Sequence, residues 1–166
     1  MLRTQGNFLQ YRNPTPRRSS PEEQTFKGTA VTRCAFIIDR SLPQGLVANT
    51  AAILAMTLGM ERPDLVGPDV RDADGNRHRG ITSVVMPILA ADAEGLKALR
   101  GRAASQEPAG LGLIGVTDAA QQAKSYDAYA ARLAETPQEG LRYLGLCVHG
   151  PADLVRSLTG NLPLMK

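Results

Sequence analysis

The sequence has no tryptophan, and its aromatic content is only 4%. A core must therefore come from Val, Leu, Ile, Met and Ala. It has two cysteines, Cys34 and Cys147, each inside an apolar run. Two such thiols make no disulfide framework, and free buried thiols in a reducing cytoplasm are expected. There is no glycine-rich phosphate loop and no Gly-x-Ser-x-Gly elbow. No cluster of His, Cys and carboxylates has metal-ligand spacing. Mononucleotide, serine-hydrolase and zinc readings lose their sequence support, and neither cofactor nor metal is expected. The first 30 residues lack the apolar centre of a signal peptide.

Charge is missing from one stretch altogether. No charged residue lies between Ser41 and Met60. The run is not read as membrane-spanning, because it holds Ser41, Pro43, Gln44, Asn49 and Thr50 and its helical part is too short. The net charge of +3 is also uneven. Residues 1–33 carry six basic and two acidic residues, and residues 34–166 carry 13 and 14. The basic excess sits in a Pro- and Arg-containing leader, residues 1–29, read as a flexible arm before one α/β domain, residues 30–166. The nearly neutral domain disfavours a nucleic-acid partner.

What is present reads as alternating strands and helices. Val31–Asp39 is an apolar strand of the kind covered on both faces. Gly45–Leu58 is a helix with Val47, Ala51, Leu54 and Leu58 on one face, and Gly59 is its expected stop. A short strand is expected over Leu65–Val70. Asp72-Ala73-Asp74-Gly75-Asn76 reads as a hairpin turn; it lacks the far acidic residue of a calcium loop. Ile81–Leu89 is read as a strand, with Pro87 marking an edge or an end. Ala93–Arg102 is a helix, with Leu96 and Leu99 inward and Lys97, Arg100 and Arg102 outward. Leu111–Thr117 is a strand. Ser125 caps a helix whose apolar stripe is Tyr126, Tyr129, Ala130 and Leu133. Leu141–Val148 is the last long strand, Ala152–Leu158 the last helix, and residues 162–165 an extended tail. The order predicts a small mixed sheet with helices on both faces.

Sites in open α/β sheets gather at the carboxyl ends of strands. That rule selects Asp39 and Asp118 as candidate catalytic carboxylates, to act as base or to orient a water. It selects Asn49, Thr50, Thr117 and His149 as candidate substrate contacts. Asn49 and Thr50 stand near a helix start, where they could bind a carbonyl or a phosphate. His78, between Arg77 and Arg79, is read as surface.

Two ends of the domain resemble a known family. Cys34–Asp39, the turn and Gly45-Leu46-Val47-Ala48 resemble the opening of type II peptidyl-tRNA hydrolases. There a strand ending in aspartate leads to a glycine-lysine-x-alanine-alanine-glutamine helix start. Gly145-Leu146-Cys147-Val148-His149-Gly150-Pro151 and Leu158-Thr159-Gly160-Asn161-Leu162-Pro163-Leu164 resemble that family's closing strand, turn and tail. Residues 31–166 are also similar to the domain-of-unknown-function 2000 family, through Asp72-x-Asp74-Gly75, Tyr126-Asp127-x-Tyr129, Leu144-Gly145 and Gly160-Asn161-Leu162-Pro163-Leu164. That family has no established activity.

The resemblance implies a three-layer α/β/α sandwich like that of type II peptidyl-tRNA hydrolase. Asp39, Gly45, Ala48, Asp118 and Ala119 carry over from the hydrolase pattern. Leu46 stands in the place of the hydrolase lysine, Thr50 in that of its glutamine, and Ile53 in that of a histidine. Two readings of function follow. One is a hydrolase of a small acyl or aminoacyl substrate. The other is a non-catalytic module for a small molecule or a protein, without the lysine. Strand edges and low aromatic content suit a homodimer.

Overall fold

A computed structural model of the protein describes residues 32–166. The expected leader, residues 1–29, lies outside the described residues. Strand β1 (Thr32–Asp39) is one of the two inner strands of the main sheet, and Cys34–Ile38 are all buried, as their unbroken apolar run requires. Helix α1 (Gln44–Glu61) follows after a short turn. A small hairpin pairs β2 (Val70–Arg71) with β3 (Arg77–His78) around the expected Asp-Gly turn, where Gly75 takes a φ of 85°. Then come β4 (Ile88–Ala91), α2 (Ala93–Ala104), β5 (Gly112–Thr117), α3 (Asp118–Gln122) and α4 (Tyr126–Glu135). The chain ends with β6 (Tyr143–Pro151) and α5 (Ala152–Thr159).

The main sheet has the order β4-β1-β6-β5. β1 and β4 are parallel, and β6 runs antiparallel to both β1 and β5. The carboxyl ends of β1, β4 and β5 therefore share one end of the sheet with the start of β6. The C-terminal tail covers the outer edge of β4: Leu164 bridges Leu89, and the Ala90 N–H donates to the Pro163 carbonyl. Side chains alternate between faces. Ala35, Ile37, Leu146 and Val148 pack with Leu96, Leu99 and Ala103 of α2 and with Val155 and Leu158 of α5. Cys34, Phe36, Val116 and Cys147 pack with Leu54 and Leu58 of α1. One face thus carries two helices and the other chiefly α1.

Four local expectations change. The strand expected over Ile81–Leu89 begins only at Ile88. Pro87 has no N–H for a ladder, and upstream the Thr82 and Ser83 hydroxyls donate to the carbonyls of Val84 and Leu65, which holds that stretch in an irregular path. Leu65–Val70 is not a strand: a 3-10 turn covers Pro63–Leu65, and pairing starts at Val70. Helix α1 runs through Gly59 to Glu61, because nothing at Gly59 requires a left-handed backbone. Tyr126 is 80% exposed instead of facing inward.

Gly145 sets how closely α1 rests on the sheet. A Cβ there would meet Thr50 Cγ2 at 2.7 Å and Leu54 Cδ1 at 3.2 Å. Gly145→Ala is expected to destabilise the fold by about 1–3 kcal/mol through overpacking. Thr50→Ser, which removes that methyl, should recover part of the loss in a double-mutant cycle read by urea unfolding. Full additivity of the two changes would contradict this contact.

Candidate functional site

Asp39 ends β1 and is almost fully buried, at 1% exposure. Its Oδ1 accepts from the Ser41 N–H (2.9 Å) and the Ser41 hydroxyl (2.7 Å), which fixes the turn into α1. Its Oδ2 accepts from Arg142 Nη2 at 3.3 Å. Burial alone pushes the carboxyl's pKa upward. The Ser41 hydrogen bonds and the Arg142 guanidinium outweigh that, so it lies below the ordinary value. The carboxylate is ionised and well supplied with donors, an arrangement that braces this end of the sheet. Arg142 also ties in β5, since its carbonyl accepts from the Asp118 N–H at 3.0 Å.

Asp118 is half-buried at the start of α3. Thr117 beside it and Thr50 on α1 are buried, and among the described residues neither Oγ1 has a hydrogen-bond partner. Leaving such a group unpaired costs about 1–3 kcal/mol. Asn49 is exposed on the outer side of α1. Asp39, Thr50, Asn49, Thr117 and Asp118 thus belong to the same end of the domain. They do not share one pocket: Thr50 rests on the α1 face at Gly145, whereas Asp39 continues the alternation of Ala35 and Ile37 on the other.

His149 does not join them. β6 runs the other way, so His149 pairs with Cys34 and Gly112 at the opposite end. Its Nε2 lies 3.1 Å from Glu61 Oε2 at the end of α1. The ring occupies the space that a side chain at Gly112 would need. His78 is on the surface as expected, 3.0 Å from Asp72. Among the described residues, no three His, Cys, Asp or Glu side chains gather to hold a metal. No helix among them is long and apolar enough to cross a membrane.

Two cavities flank β5, one on each face, and meet at Gly115 and Tyr129. The larger, about 430 Å³, lies toward α1 and is lined by Ile53, Thr57, Val116, Ala120 and Tyr126 among others. The smaller, about 260 Å³, is lined by Arg100, Glu107, Thr117, Leu133, Leu141 and Leu146 among others. Arg100 makes no ion pair or hydrogen bond with the other described residues. Tyr126 and Tyr129 meet edge to face, 5.7 Å apart, at the mouth of the larger cavity. The sequence reading reached Thr117 but not Arg100, which it placed outward. Its spacing of four from Leu96 puts it at the margin of the buried face of α2, a signal that it is not wholly solvated.

Residues 32–166 match the family described as "Protein of unknown function (DUF2000)". The chain belongs to this family. The DUF2000 match covers every described residue. A solved structure of a protein of unknown function from Agrobacterium tumefaciens is similar in fold to this DUF2000 chain, with a TM-score of 0.73 and 16% identity. The likeness covers 81% of this chain and 98% of that one. No curated protein matches the sequence.

The lowered pKa of Asp39 fixes the sign of a pH effect. A depressed carboxylate contributes stability above its unfolded value of about 3.9 and loses it as pH falls through the folded value. Asp39→Asn should be less stable than the wild type near neutral pH, and the gap should shrink below about pH 4. Urea unfolding across pH checks this, and a gap that widens in acid would contradict it.

Proposed function

We propose that the protein is a non-catalytic binding module for a small acyl or aminoacyl ligand, held in the paired cavities beside β5. The observation that carries this reading is the buried Thr117 hydroxyl, on a cavity that also holds the Arg100 guanidinium, both without a partner among the described residues. Arg100 would take the ligand's carboxylate in a charge-assisted hydrogen bond. Thr117 would take a carbonyl or amide, and Leu133, Leu141 and Leu146 an apolar side chain. An acyl extension would pass Gly115, beside Tyr143 and Leu146, toward Tyr126 and Ile53. A few convergent polar groups in an apolar cleft is the usual make-up of a ligand site.

Two observations weigh against the hydrolase reading as first choice. Leu46 carries no charge to polarise an ester, and Asp39 is already committed to Ser41 and Arg142. Hydrolysis stays as a second reading on one specific observation, the unpartnered Thr50 hydroxyl at the same end as Asp118. The proposed relation to the type II peptidyl-tRNA hydrolase fold belongs with that second reading. Free, buried Cys34 and Cys147 suit a cytoplasmic protein.

Calorimetry of the full chain with N-acetyl-leucine tests the first reading. Arg100→Gln and Thr117→Val should each weaken binding by about tenfold, one good hydrogen bond's worth. Thr117→Val should at the same time raise stability by about 1 kcal/mol, because it removes a buried unpaired hydroxyl. No binding by the wild type, or binding by both variants as tight as that of the wild type, overturns the proposal. Incubation with N-acetyl-leucyl-tRNA tests the second: no cleavage is expected, and cleavage lost in Thr50→Ala would replace the first reading with hydrolysis.

A further inference from the structure

The two edges of the main sheet differ. At β4 the edge is covered: the Ala90 N–H donates to the Pro163 carbonyl, and the Met165 N–H donates to the Ile88 carbonyl. At the other edge, among the described residues, β5 pairs with β6 alone. The ladder fixes which groups β5 leaves open. The Phe36 N–H donates to the Pro87 carbonyl and so faces β4. Alternation turns Ala35 and Ile37 toward β6, where they oppose Val148 and Leu146. Cys147 and His149 then face β5 and oppose Ile114 and Gly112. The N–H and C=O groups of Leu113 and Gly115 therefore point outward, and they find no partner among the described residues.

An edge strand is ordinarily blunted by charge or proline. β5 carries neither. It also has a cavity on each face: Leu113 and Thr117 line the smaller, Ile114 and Val116 the larger, and the two meet at the exposed Gly115. Helix α4 contributes Tyr129 to both. None of its residues is buried, so an outward shift of α4 would not open the core.

We infer that β5 takes the carboxyl end of a polypeptide as an added strand. This rests on the reading of the paired cavities above and names the class of ligand they hold. An N-acyl amino acid is the last residue of a peptide in miniature, with a free carboxylate, a side chain and one amide. A strand laid along β5 sets successive side chains on opposite faces, which is where the two cavities lie. The last side chain enters among Leu133, Leu141 and Leu146, with its carboxylate on Arg100. The one before it lies toward Ile53 and Tyr126. Glu107 lines the same cavity as Arg100, so a single terminal charge is matched there and an acidic run is not. Leu113 and Gly115 together offer two donors and two acceptors, more than a ligand with one amide can use. Main-chain bonds to an open edge, with pockets for alternate side chains, are a recurring mode of peptide capture. The two open positions are about 7 Å apart, so a segment of about four residues engages both.

The test uses the wild-type full chain with acetyl-Thr-Val-Phe-Leu, its carboxamide, and two forms N-methylated at Phe or at Leu. Calorimetry should show the free acid binding about tenfold tighter than N-acetyl-leucine, and the carboxamide about tenfold weaker than the acid. Only one of the two N-methylated peptides should lose affinity, because alternate N–H groups of a strand face its neighbour. Amide exchange followed by NMR should show Leu113 and Gly115 unprotected in the free protein and both protected by the peptide, whereas N-acetyl-leucine cannot protect both. A tetrapeptide that binds no tighter than N-acetyl-leucine overturns the inference and leaves the small-ligand reading standing, and binding of neither overturns both. Peptide binding without protection of Leu113 and Gly115, equal affinity for acid and carboxamide, or equal affinity for both N-methylated forms also overturns it, because the peptide would then be held elsewhere or in another mode.

Discussion

The antiparallel insertion of β6 between β1 and β5 decides which chemical groups can meet. Because β6 opposes both neighbours, its first residues reach the end of the sheet where β1 and β5 finish. That is how Arg142, 103 positions along the chain from Asp39, comes to pair with it. The same direction sends His149 to the far end beside Glu61. The braced carboxyl end and its separation from the histidine are two consequences of one strand direction. Gly145 lies on the same strand and gives α1 its seat, so β6 also fixes the height of the helix above the sheet.

What was legible in the sequence was local. The runs Cys34–Ile38 and Leu144–Val148 read as buried strands because every residue in them is apolar. Ser125 read as a helix cap, and its hydroxyl does accept from the Ala128 N–H. The Asp-Gly turn carried its own backbone requirement. Strand direction and neighbour order are non-local, so the grouping of Asp39 with Arg142 had no signature in spacing. The stretch before Ile88 looked like a strand by apolar content, but Pro87 cannot donate to a ladder and two hydroxyls bind backbone instead. The cavity beside β5 draws on α2, β5, α4 and β6, and no spacing rule links Arg100 to Thr117 and Leu133 across so many elements.

The two faces of the sheet are unequally covered, and the open surfaces follow from that. Four strands at about 4.8 Å make a sheet wider than one helix of about 10 Å. On the α2–α5 side, two helices close most of the width. On the other side α1 lies over the middle, which leaves a flank at β5 and a flank at β4. The β5 flank is bounded by α4 and its tyrosines. The β4 flank is shallow and continuous with the exposed, uncharged outer face of α1. The absence of charge from Ser41 to Met60, the plainest oddity of the sequence, thus belongs to the shallow side.

The polar groups at the carboxyl end fall into two kinds, and the difference bears on function. Asp39 accepts from three donors, and moving any of them would leave a buried carboxylate short of partners. That group resists change and holds the strand ends in place. The hydroxyls of Thr117 and Thr50 have no hydrogen-bond partner among the described residues. A valine would fill either site at similar volume without the cost of a buried unpaired hydroxyl. A group held at that cost can gain a partner without breaking an existing bond. On the proposed reading, recognition at this end of the sheet would fall to the threonines, beside a frame braced by the Asp39–Arg142 pair.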